Sequence, residues 1–104
     1  MPESVFVSGQ FLSKALGKPV DGIVYLIPSR MWIEEDGIFY AIMAPTIHTE
    51  DGNFKAEVTA CHPRPGDKGW HYRILCPSGV WTMRPDGPQG TELSLADLIP
   101  KKAA

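Results

Sequence analysis

The side chains of this sequence that could hold a metal or act as nucleophiles are Cys61, His62, His71 and Cys76, with His48 further upstream. Zinc sites pair their ligands at a spacing of about two to four residues, or about three to five between histidines, so that both donors reach one ion. Cys61 and His62 are adjacent, and adjacent side chains on a strand point to opposite faces. The set has no such pairing, and no metal or other cofactor is expected. A Cys–His nucleophile also needs a third group to orient the base, and the sequence points to none. The two cysteines could form one disulfide, but a reducing compartment disfavours it. Both read as small buried thiols.

Glu34-Glu35-Asp36 is the acidic run. Catalytic carboxylates face each other from separate segments, and calcium loops space their oxygen ligands more widely. Followed by Gly37, the run reads as the solvated tip of a hairpin. The chain lacks G-x-S-x-G, a phosphate-binding loop, G-x-G-x-x-G and H-E-x-x-H, and no enzymatic activity is expected of it. Trp32, Trp70 and Trp81, with Tyr25, Tyr40 and Tyr72, could stack on a sugar or a protein partner. Trp70 and Tyr72 fall on the apolar face of an alternating run and read as core. Trp32 and Trp81 sit beside turns and are the surface candidates. Arg30, Arg64, Lys68, Arg73 and Arg84 are scattered, and the net charge is −2. Neither makes a footprint for nucleic acid.

The elements that must position these groups are short strands. The chain has 104 residues, which fits one domain, residues 1–104, with 1–3 and 101–104 as flexible ends. Ten Gly and ten Pro break helices and favour turns. Ser4 to Leu12 reads as a strand, with Gly9 marking a bulge or a close backbone approach. Ile23 to Ile27 is apolar on both faces, as a central strand is, and Pro28 ends it. Met31 to Ile33 and Ile38 to Met43 flank an Asp-Gly hairpin signal, and a second, Asp51-Gly52, precedes Phe54 to Ala60. That last run alternates, with Phe54, Ala56, Val58 and Ala60 inward. Trp70 to Cys76 alternates in the same way, after a Pro/Gly-rich loop from His62 to Gly69. Val80 to Met83 is a short strand, and Ser94 to Leu98 could form one helical turn capped by Ser94. Seven or eight strands with turns every 8–12 residues or so predict an all-β, antiparallel sandwich. No apolar run reaches the roughly 20 residues that span a bilayer, so no membrane partner is expected. Met1 to Ser4 lacks the features of a signal peptide, which points to synthesis in a cytoplasm.

Val7 to Leu12 followed by Gly17-Lys18-Pro19-Val20-Asp21-Gly22 and Ile23 to Leu26 resembles the opening of prealbumin-like and carboxypeptidase-regulatory-like sandwiches. Asp51-Gly52-Asn53-Phe54 looks like their later turn into a strand. Thr59-Ala60, the Pro-rich loop, Gly69 to Ile74 and the closing Leu93 to Pro100 together resemble small sandwich domains, prealbumin-like or Ig-like, in virions of tailed phages that infect actinobacteria. Such domains occur in minor tail proteins and in capsid decoration proteins. Tail proteins often carry long further domains, so a sequence of one domain fits a stand-alone accessory better.

The resemblance implies a virion protein, made in the host cytoplasm, that docks on the major capsid protein or on tail proteins in many symmetric copies or as a homo-oligomer. Capsid decoration is the first expectation and a minor tail protein a close second. A carbohydrate- or receptor-binding module, with Trp32 and Trp81 as glycan contacts, is the alternative from another class. The apolar terminal segment with Leu93, Leu95, Leu98 and Ile99 could lie across a neighbouring subunit or pack on its own sandwich.

Overall fold

The computed structural model describes residues 2–63 and 69–99. Among them the chain forms nine strands and one helical turn: β1 (Ser4–Gln10), β2 (Ile23–Pro28), β3 (Trp32–Glu35), β4 (Ile38–Ala41), β5 (Thr46–His48), β6 (Asn53–Thr59), β7 (Tyr72–Cys76), β8 (Gly79–Met83), β9 (Glu92–Ser94) and α1 (Leu95–Leu98). One sheet runs β6-β1-β9, a second runs β5-β2-β7-β8, and β3 and β4 form a separate hairpin. The expected all-β sandwich is what the chain adopts. The expected fraying at 101–104 and the charges Arg64 and Lys68 lie outside the described residues.

Alternation builds the core. Val5 and Val7 on β1, and Phe54, Ala56 and Val58 on β6, turn to one side; Val24 and Leu26 on β2, and Tyr72 and Ile74 on β7, join them in one buried cluster. Each Val, Leu, Ile or Phe side chain among them contributes about 1.5–3 kcal/mol on leaving water. The β1–β6 ladder runs without interruption from Ser4↔Thr59 to Gln10↔Asn53. Gly9 is therefore no bulge. A Cβ there would lie 2.8 Å from a Phe54 ring carbon, so the glycine admits the ring that stacks on Phe11.

Both Asp-Gly pairs form their turns. Asp36 and Gly37 have φ of 52° and 80°, and Asp51 and Gly52 have 52° and 77°. That pair of left-handed residues matches the twist of a hairpin. Gly52 is also tied to another loop. Its N–H donates to Asp21 Oδ1 at 2.8 Å, and a Cβ on it would lie 2.4 Å from the Phe11 carbonyl oxygen. Thr49 Oγ1 donates to the same Asp21 oxygen and accepts from the Gly22 N–H. One carboxylate thus joins the β1–β2 connection to the β5–β6 turn.

One pairing departs from the antiparallel expectation. The chain leaves β8 in one sheet and crosses to the free edge of β1 in the other, where β9 runs parallel, with Leu93 opposite Val7. The crossing is held at the start of β1: Gln89 Oε1 accepts from the Ser4 N–H, and Thr91 C=O accepts from the Phe6 N–H.

The phenol of Tyr72 spans the join between the elements. Its O–H donates to the Met43 carbonyl at 2.6 Å and accepts from the Thr59 N–H at 3.1 Å. The Met43 N–H in turn donates to Thr59 Oγ1. Tyr72→Phe keeps the ring and leaves a carbonyl and an amide without this partner. We expect a loss of about 1–3 kcal/mol, read from urea unfolding. A change below the error of that measurement would show that solvent replaces the phenol.

Candidate functional site

The thiol and imidazole groups do not converge. His48 stands exposed on β5 beside Ile23, and His71 precedes β7 with its N–H donating to Ser29 Oγ. His62 lies between two carboxylates: Nε2 is 2.8 Å from Glu3 Oε2, and Nδ1 contacts Asp86 Oδ1. This clamp, with the Ala60 N–H donating to the Glu3 carbonyl, holds the segment before β1 against the loop after β8. Among the described residues no group of three or more His, Cys, Asp or Glu side chains could hold a metal ion.

Both cysteines are free thiols. Cys61 is buried, and desolvation, with Asp86 adding to it and Arg84 opposing, pushes its pKa up to about 12. A thiol held in its neutral form is a poor nucleophile and a poor metal ligand. Cys76 is half-exposed and contacts Ser78 Oγ and the Gly79 carbonyl.

The acidic run forms the hairpin tip, as expected, and the Gly37 N–H donates to Glu34 Oε1 at 3.1 Å. The aromatic candidates divide. Trp70 and Tyr72 are core residues whose rings pack at 5.2 Å. Trp70 Nε1 is buried without a hydrogen-bond partner among the described residues. Trp32 is exposed on the β3–β4 hairpin, at 54%. Trp81 is not the surface platform expected. It stands opposite Ile74 on the inner face of β8, half-buried against the core, with Nε1 donating to Ser78 Oγ. Trp32 and Trp81 thus belong to separate sheets.

The terminal segment resolves to the second of its two readings. Leu95 is buried, and Leu93, Leu98 and Ile99 pack against the chain's own core. Burial removes Leu95 from the partner contacts. The cause is β9, which docks beside β1 and delivers α1 onto it.

The candidate site is a surface the sequence did not single out. On the outer face of the four-stranded sheet, Ile23, Tyr25 and Ile27 stand exposed along β2. Tyr25 lies opposite Thr46 on one side and Leu75 on the other, and Leu75 lies opposite Val80, itself 61% exposed. The result is an apolar band across three strands, edged by His48, Arg73 and Thr82. At its Ile27 end is a cleft of about 200 Å³ lined by Ile27, Pro28, Ser29, His71 and Arg73. The signal was present in the sequence: a strand apolar on both faces implies a cover on both.

Comparison with models of known protein families gives no match, and comparison with curated proteins gives none either.

The raised pKa values fix an alkaline limit. Cys61 titrates near 9 when unfolded and about 12 when folded, and Tyr72 near 10 and about 12. The stability each contributes is complete below the unfolded value and is lost as pH rises towards the folded one. We expect the unfolding free energy, read from urea titrations, to begin falling above pH 9, by up to about 1.4 kcal/mol per pH unit and group. Cys61→Ala should delay the onset towards pH 10. An unchanged onset in that variant would remove Cys61 from the explanation.

Proposed function

We propose that this chain is a non-enzymatic structural protein of a tailed-phage virion, first a capsid decoration protein, with a minor tail protein as the near alternative. The observation that supports an assembly role is the uncovered apolar band formed by Tyr25, Ile27 and Val80. Contiguous apolar surface of this kind marks a contact with another macromolecule. The virion part of the reading rests on the resemblance of Thr59 to Ile74 and Leu93 to Pro100 to phage sandwich domains.

The mechanism is docking. The band lies flat on a rigid sheet, so little order is lost on contact and the partner gains a preformed surface. Copies arrayed on a lattice add their weak contacts by multivalency. A carbohydrate- or receptor-binding module is the second reading, supported by Trp32 and Phe39, which stand exposed on the same face of the hairpin.

Co-sedimentation with separated heads and tails tests the proposal. Stoichiometric binding to heads supports decoration, and binding to tails alone supports the tail protein. The Tyr25→Glu variant should bind at least about tenfold more weakly, as loss of a central contact does. Folded protein that sediments with neither particle overturns the virion reading and directs attention to glycan titration of Trp32.

A further inference from the structure

The β3–β4 hairpin is a second unpartnered element, distinct from the apolar band. Its strands pair with each other and with no other strand among the described residues. A lone two-stranded hairpin is marginal in water; this one is anchored on one side, where Ile33 and Ile42 enter the core beside Ile38 and Tyr40, while Trp32 and Phe39 stand exposed on the other. Phe39 is 69% exposed, Met31 70%, and Trp32 and Ile38 54% each. That apolar surface is divided between the two sides of the hairpin, with Trp32 and Phe39 leaving one side uncovered.

The turn fixes which backbone groups are free. In a two-residue hairpin the flanking pair, here Glu35 and Ile38, exchanges both hydrogen bonds. Tyr40 then also points its backbone groups at β3, as does Ile42, whose N–H donates to the Met31 carbonyl. Phe39 and Ala41 direct their N–H and C=O groups outwards, and nothing among the described residues pairs with them. Exposed edges are normally guarded by charge, proline or a bulge. From Ile38 to Met43 the chain has none of these, whereas β3 carries Glu34 and Glu35. The β3 edge thus carries charged side chains of the kind that guard an edge, and the β4 edge carries none.

We infer that the partner of this edge is a second copy of the chain, joined β4 to β4, antiparallel, about a two-fold axis at Tyr40. Symmetry requires one residue to lie opposite itself. With Tyr40 at the axis, Phe39 lies opposite Ala41 of the second copy. Each such pair exchanges two hydrogen bonds, so all the outward groups are satisfied. On one face Tyr40 meets its own counterpart, with Ile38 opposite Ile42. On the other, the small Ala41 lies between Phe39 of one copy and Trp32 of its neighbour and lets the aromatic rings close into one stripe. The product is a four-stranded sheet, β3-β4-β4-β3, shared by two molecules. The inference stands on the hairpin alone and is independent of the virion reading.

Sedimentation equilibrium of the full chain from micromolar to hundreds of micromolar, with amide hydrogen exchange at both ends of that range, tests it. The expected result is a monomer–dimer equilibrium in which the Phe39 and Ala41 amides gain protection as dimer forms. Ala41→Pro removes an outward N–H and no ladder bond. Phe39→Lys places a charge on the edge. Each should weaken dimerisation at least tenfold while the far-ultraviolet circular dichroism stays the same. If Ala41→Pro does not fold, Phe39→Lys and the wild-type exchange data decide. A monomer at every concentration overturns the inference, as does a dimer that survives both variants. So does a dimer abolished by Val80→Lys but not by Phe39→Lys, which would place the contact on the apolar band.

Discussion

The architecture depends on one buried phenol. Tyr72 belongs to the four-stranded sheet, Thr59 ends a strand of the three-stranded sheet, and Met43 follows the hairpin. The Tyr72 O–H joins all three, and Thr59 Oγ1 completes the junction by accepting from Met43. Apolar packing between two sheets is tolerant of small shifts, because area burial has no direction. Hydrogen bonds in a dry interior are directional and costly to leave unmade. The apolar core therefore brings the sheets together, and the phenol fixes their relative position and the angle at which the hairpin departs.

Among the described residues, one side of each of the two larger sheets is buried. The inner sides of β1, β6, β2 and β7 bury Val5, Val58, Leu26 and Ile74 completely or nearly so. The outer side of β2 is left uncovered by the described residues, although Ile23, Tyr25 and Ile27 are as apolar there as Val24 and Leu26 are inside. The same holds for the Trp32 and Phe39 face of the hairpin, whose other face sends Ile33 and Ile42 into the core. The molecule is correspondingly long, with principal extents of 52 × 29 × 20 Å. Much of its exposed apolar surface lies in two regions, the band on β2 and β8 and the β3–β4 hairpin. Surface gathered in this way serves contacts better than scattered residues do.

Much of the fold was legible in the sequence. Period-two alternation placed Phe54, Ala56, Val58, Tyr72 and Ile74 inward, and Asp36-Gly37 and Asp51-Gly52 marked their turns, because each signal is local. What was not legible depended on neighbours distant in sequence. The parallel course of β9 follows from a crossing between sheets, and the inward turn of Trp81 follows from its register with Ile74. β2 is the central strand its apolar run predicts, but the exposure of its outer face was not legible, because such a run looks the same whether its second face is covered by the chain itself or left for a partner. Leu95 shows the reverse. Its type allowed either a partner or the chain's own core, and only the docking of β9 beside β1 decided between them.

That parallel pair also sets how the domain responds to mechanical load. The start of β1 and the exit of β9 lie at opposite ends of the same ladder. Tension applied between the segment before Ser4 and the segment after Ser94 runs along both strands in opposite directions. It loads their hydrogen bonds in shear, all together, instead of opening them one by one as it would in a hairpin pulled from its open end. β9 is short, but the ladder it closes leads directly into the longer one between β1 and β6, so force entering at either end is spread across a whole sheet. The domain is built to hold when pulled along this axis and to yield when peeled across it.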